Sequence, residues 1–393
     1  MSLTATEVKA KARALGADLV GIARGDVLDR HPPDPARPQT PGRITPVDSK
    51  SVLVLGRRLL TGINRLKGHD DRHKQYSAEL VLSDLEEIEL KLVYFLEDAG
   101  FPSITVPPVH FDPRHYDPKG DTRAPLSLAH AAVEAGLGTL GLNLMLLTPE
   151  YGPRVMLGAV LTSAELEADR PLAEPLCAGE ACGRCLLACP ADAIGQWTLD
   201  KERCAPLASP YGFSYLMSHV ERMVQAPRDE QLALLKSKES FMSWQSILRG
   251  VGVYSGCTRC VDVCPVGRDY EMQLKDVQDT IAERTPEKER RLAEMARRRE
   301  AGDHGPHHAR SARWIGGPAA SSWRTQARCF STKLPRFLRP FRPSCCVCSR
   351  SAPCAVSAAR RNWPWTSAWW RRPTWTRRRP FSRASCARTC TTA

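Results

Sequence analysis

Cysteine is absent from the first 176 residues and then occurs eight times between positions 177 and 264. The order is Cys177-x4-Cys182-x2-Cys185-x3-Cys189-Pro190, then Cys204 alone, then Cys257-x2-Cys260-x3-Cys264-Pro265. A doubled C-x2-C-x3-C-P run is the spacing by which one chain holds two four-iron clusters, and eight thiolates serve two such clusters at four apiece. In C-x2-C a tight turn aims two sulfurs at one cluster and frees backbone N–H groups to hydrogen-bond its sulfides. The longer step that follows swings the last Cys onto the next helical turn, away from its neighbours. The proline behind it suits the first turn of a helix, where a missing N–H costs nothing.

In two-cluster ferredoxins that last Cys serves the other cluster. The spacing therefore predicts crossed ligation, with Cys177, Cys182, Cys185 and Cys264 on one [4Fe–4S] cluster and Cys189, Cys204, Cys257 and Cys260 on the second. One departure is the x4 after Cys177, where x2 is usual. Two plainer uses of cysteine compete. A disulfide framework needs an oxidising compartment, and residues 1–23 lack the basic and apolar regions of a secretory signal. Structural zinc takes four thiolates, but the paired runs follow an iron–sulfur pattern rather than a zinc-ribbon one.

The elements that must position these thiols lie in a body whose charge the total conceals. The formal net charge is +13, yet 18 of the 56 Lys and Arg fall after Asp303, where there is no Asp or Glu. Residues 1–303 keep 38 basic against 43 acidic side chains. That mildly acidic body gives no argument for a nucleic-acid surface. The tail, 304–393, carries seven of the nine Trp and seven of the 15 Cys with no helical or strand period. It reads as a disordered or frameshifted terminus, and the competing reading is a basic arm for RNA or DNA. No apolar run reaches the 18 or so residues that cross a bilayer, so a cytoplasmic protein without a membrane partner is expected.

Within the body, residues 4–15 have helical spacing, with Thr4 as cap and Gly16 as stop. Strands are expected at 18–22, 51–55, 103–106 and 155–162, and helices at 77–99 and 126–135. In the first of those helices Leu80, Leu85, Ile88, Leu92 and Phe95 are expected to face inward. Proline-rich loops fill 31–47 and 107–119, the second holding His115 and Tyr116. Two helical stretches are expected in the insert between Cys204 and Cys257, near 215–224 and 231–248. A charged helix broken by Pro286 should close the body as a solvated element. Strands alternating with helices give an α/β or α+β layer. The predicted divisions are 1–170, 171–270 with its insert at 205–256, 271–303, and the tail.

Gly136-x-Gly138-x-x-Gly141 matches the dinucleotide fingerprint literally. That fingerprint works only after a strand and at the opening of a helix; here it follows a helix, so a nicotinamide site is rejected. The glycines are expected to let the backbone approach something large and flat, or else to form a helix C-cap and turn.

Ala124-Pro125-Leu126, the run from Ala135 to Asn143, and Leu147-Thr148-Pro149-Glu150-Tyr151-Gly152-Pro153-Arg154-Val155, followed by the double cysteine runs, resemble the superfamily of epoxyqueuosine reductases and corrinoid reductive dehalogenases. The resemblance covers roughly 5–268. It implies an α+β fold: an N-terminal α/β domain of the flavin-reductase-like, cobalamin-binding type, then a ferredoxin-like domain with two clusters. It also implies an iron–sulfur oxidoreductase that passes electrons from a ferredoxin or flavodoxin through both clusters to a corrinoid. The substrate would be a small molecule or a modified nucleoside, with tRNA the one nucleic acid in prospect. Gly136, Gly138, Gly141 and Asn143 are the corrinoid-binding candidates. The reductases place a proton-donating Asp two residues before Ala-Pro; here that position is Thr122, and the carboxylate is Asp121. Asp121 and Tyr116 are the catalytic candidates. Gly141-Leu142-Asn143 lacks the lysine that the reductases carry, and the Thr-Pro-Glu-Tyr-Gly-Pro run is nearer the dehalogenases. The alternatives are an electron carrier without corrinoid and a flavin-using reductase.

Overall fold

The computed structural model of the chain describes residues 3–66, 72–108, 123–249, 256–278 and 283–305. Thr4 starts the first helix, Ala5–Ala14, through a capping box. Its hydroxyl accepts from the Glu7 N–H at 3.2 Å, and the Glu7 carboxylate accepts from the Thr4 N–H at 2.9 Å.

Six strands follow in chain order: β1 (Leu19–Arg24), β2 (Ser51–Arg58), β3 (Ser103–Val106), β4 (Thr139–Leu140), β5 (Leu146–Leu147) and β6 (Val155–Thr162). Four of them build one sheet in the order β1-β2-β6-β3, while β4 and β5 pair in a separate hairpin. Every neighbouring pair in the main sheet is antiparallel. The fold is α+β, and the α/β expectation for the N-terminal part is corrected. The physical reason is an inserted strand. The helix Arg72–Asp98 does join β2 to a parallel β3, but β6 lies between them and opposes both, a split βαβ unit.

Alternation of side chains across the pleat divides the core into two layers. Val20, Ile22, Leu53, Leu55 and Val160 pack against the helices Ala5–Ala14 and Arg72–Asp98. Ala23, Val52, Val54, Ala159 and Leu161 pack against the helix Leu128–Glu134. β2 is therefore apolar on both faces, as its unbroken Val-Leu-Val-Leu run requires. Leu85, Ile88 and Leu92 face inward as predicted, and Phe95 is half-buried. Leu80 is 49% exposed; at that end of the helix the inward stripe passes through Ala78, Val81 and Leu82, which share a face with Leu85 at helical spacing.

The cysteine runs sit on two short helices, Arg184–Ala188 and Arg259–Asp262, with Cys204 on a third, Lys201–Ala208. Among its described residues the insert holds three helices, not two: Phe213–Gln225, Arg228–Leu235 and Lys238–Arg249. The expected 231–248 stretch divides after Leu235, where Lys236 caps one helix and the Ser237 hydroxyl accepts from the Ser240 N–H at 3.3 Å. Pro286 stands at a break in the helical run, after the non-helical residues 283–285, as expected. It occupies the first turn of Pro286–Glu300, whose N-terminus Thr285 caps by accepting from Lys288 N at 3.2 Å.

Candidate metal centre

The first run is built around a glycine turn. Gly183 has φ +57°, and the helix after it carries Cys185 and turns Cys189 back into the core. Leu186, Leu187, Ile194, Trp197 and Met295 form an apolar cluster against which Cys177, Cys185, Cys204 and Cys260 pack. The closing helix is part of this shell, not a solvated element. Lys288 is buried and donates to Leu187 O at 3.2 Å, and Arg291 donates to Ile194 O at 2.9 Å.

Among the described residues all eight cysteines are free thiols, so no disulfide framework exists there. Repulsion between any thiolates formed here, strengthened by the dry interior, couples neighbouring cysteines. It links Cys177, Cys182, Cys185 and Cys264. It also links Cys189, Cys204, Cys257 and Cys260. Cys185 and Cys260 interact across the two groups, so the groups are adjacent. Burial, reinforced by that repulsion, pushes the Cys185 and Cys260 thiols upward and the Cys264 thiol to about 12.

Groups left in such a shell stay protonated, whereas a cationic core would hold them as thiolates. Backbone donors are already aimed at sulfur. Leu142 N–H and Gly179 N–H reach Cys177 Sγ at 3.4 and 3.3 Å, and Ala193 N–H reaches Cys189 Sγ at 3.4 Å. Among the described residues no three His, Cys, Asp or Glu close around a single metal ion. A zinc site would draw its sulfurs to roughly 2.3 Å from one centre, whereas a four-iron cube spreads them. Eight thiols are the number of donors that two four-iron cubes take.

The glycine-rich segment serves this centre in a way the sequence did not reveal. Gly136 (φ +72°) ends the helix Leu128–Glu134 in a Schellman turn, with Leu137 N–H donating to Ala132 O and Gly136 N–H to Val133 O. The β4–β5 hairpin then carries residues 141–145 into the cysteines. Leu142 N–H meets Cys177, and the buried Asn143 amide donates to Cys260 O at 3.2 Å. An added Cβ would sit 2.5 Å from Arg170 O at Gly136, 2.0 Å from Leu147 O at Gly138 and 2.7 Å from Asn143 Oδ1 at Gly141. What each glycine makes room for on its Cβ side is an atom of this chain. Tyr116 and Asp121 lie outside the described residues.

Two positions beside the cysteines were missed as partners of the site. Lys74, on the long helix, forms a buried ion pair with Asp262, which lies between Cys260 and Cys264. Arg154 is fully buried and hydrogen-bonds to Val261 O and Cys264 O. No local signal marks either pairing, because the partners are 188 and 107–110 residues away.

An antiparallel α+β domain with eight free thiols in two cysteine runs is the class of protein the structure defines. The chain is similar to epoxyqueuosine reductases and, over a shorter span, to reductive dehalogenases, as the motifs suggested. It is 31% identical over 232 residues to the epoxyqueuosine reductase of Gloeobacter violaceus, a match covering 52% of this chain and 65% of that one. It is 31% identical over 137 residues to a tetrachloroethene reductive dehalogenase of Desulfitobacterium hafniense, covering 33% and 22%. A solved epoxyqueuosine reductase structure shares 22% identity over 68% of this chain and 67% of that one, with a TM-score of 0.42. The chain spans less than two thirds of the length of the first curated relatives it matches, 38% and 65%. No family model matches.

Proposed function

We propose that the chain is an iron–sulfur oxidoreductase holding one [4Fe–4S] cluster on Cys177, Cys182, Cys185 and Cys264 and a second on Cys189, Cys204, Cys257 and Cys260. The observation that supports this most is eight free thiols from both cysteine runs, five of them packed on one apolar cluster. When bound, the clusters supply one-electron transfer. The chain supplies the rest. Its apolar shell excludes water, its backbone N–H groups face the sulfurs, and Asn143 and Arg154 fix the carbonyls beside Cys260 and Cys264. Electrons from a ferredoxin or flavodoxin pass through the two groups toward an organic substrate of the kind that the relatives' names indicate.

A second reading, an electron carrier that hands electrons to a partner protein, is favoured by one observation. The space beside Gly136, Gly138 and Gly141 is already filled by the chain. The two readings separate on one preparation. Anaerobically purified protein is expected to hold about eight iron per chain. Cobalt or flavin in addition supports the reductase, while iron alone supports the carrier. Absence of iron contradicts both.

A further inference from the structure

The Thr-Pro-Glu-Tyr-Gly-Pro-Arg run is a latch on the second cysteine motif. Arg268 N–H donates to Pro149 O and Asp269 N–H to Glu150 O, each at 3.1 Å. An added Cβ at Gly152 would sit 1.9 Å from Val266 O. Arg154 extends through this latch with no exposed surface. Its Nη1 donates to Val261 O at 3.3 Å and Cys264 O at 2.8 Å, and its Nη2 to Val266 O at 2.6 Å. Nε and Nη2 together clasp the Asp269 carboxylate at 2.7 Å each. A guanidinium has five N–H donors, and all are spent inside the chain, so none remains for a cofactor or substrate. The carboxylate takes the Nε–Nη2 edge and leaves Nη1 turned toward Cys264.

We propose that Arg154 is a positioning residue that also sets the reduction potential of the cluster Cys264 helps to hold, raising it by a fixed, dry positive charge. The inference rests on the two-cluster reading. Reduction adds one electron to the cluster from an external one-electron donor, with no bond formed or broken. A cation held beside the cluster stabilises the added negative charge more than it stabilises the oxidised state, and charge and hydrogen bonding around a cluster are what tune its potential. Low surrounding dielectric magnifies the effect.

The test is a dithionite redox titration, followed by electron paramagnetic resonance, of the full anaerobically purified chain and the variants Arg154→Gln, Arg154→Lys and Asp269→Asn, with iron counted in each. Arg154→Gln is expected to lower one of the two potentials so that the reduced-to-oxidised ratio falls at least tenfold at fixed potential, about 59 mV for one electron. Arg154→Lys, which keeps the charge, should shift it far less. Asp269→Asn, which removes the counter-charge, should shift it the opposite way. Unchanged potentials in Arg154→Gln, or shifts of the same sign in Arg154→Gln and Asp269→Asn, overturn the inference. Should Arg154→Gln lose its iron, Asp269→Asn decides: a raised potential supports the inference, and an unchanged or lowered one overturns it. Wild-type protein without clusters sinks the two-cluster reading itself.

Discussion

Glu89 is a carboxylic acid enclosed by the split βαβ unit, 1% exposed and so close to β6 that a Cβ at Gly158 would lie 1.6 Å from its Oε1. Burial, aided by nearby Glu86, pushes its pKa up to about 9. The folded chain therefore binds this proton at neutral pH and the unfolded chain does not. Stability from this group is complete below the unfolded value of 4.5 and declines as pH rises toward 9. Between pH 4.5 and neutrality the loss is about 3 kcal/mol. Glu89→Gln should remove most of that slope and stabilise the protein at neutral pH. Denaturant midpoints at about pH 5 and about pH 8 check it; a variant with the wild-type slope contradicts it. The Lys74–Asp262 pair makes a different prediction. Both side chains are buried, so Lys74→Met strands a carboxylate and should cost about 3–5 kcal/mol. Lys74→Met with Asp262→Leu should recover most of that loss in thermal unfolding, and a double variant no better than the single one counts against the pair.

The helix Pro286–Glu300 meets the first cysteine run through Leu292, whose Cδ1 would be 2.5 Å from a Cβ at Gly183. Because that run supplies thiols to both groups of four, loosening it should affect both centres at once. Leu292→Asp is expected to lower the iron of the two clusters in parallel, read by iron assay and the two resonance signals; loss of one with the other intact contradicts crossed ligation. Much of this architecture was legible. The Thr4 cap, the strands 103–106 and 155–162, and the stripe through Leu85, Ile88 and Leu92 follow from local chemistry and period. The β4–β5 hairpin was not, since two-residue strands carry no period. Leu80 was misplaced because nearby leucines offered a second, false stripe. The two cysteine runs are plain in the sequence, whereas Arg154 and Lys74 draw meaning only from carbonyls and a carboxylate more than 100 residues distant.

At the scale of the molecule, the charge is divided between an acidic body and a strongly basic terminus. Among the described residues no helix is long and apolar enough to cross a membrane. The body's hydrogen bonds run on to Gly305, whose N–H donates to Asp303 at 3.1 Å. A chain ending at Gly305 is therefore expected to keep the iron content and melting temperature of the full chain, and a loss of either would give the basic terminus a part in the fold. Protein purified without oxygen should contain about eight iron and eight inorganic sulfide per chain, and on reduction should show the interacting resonance signals of two neighbouring four-iron clusters. Zinc in their place, or colourless protein with eight titratable thiols, would contradict it.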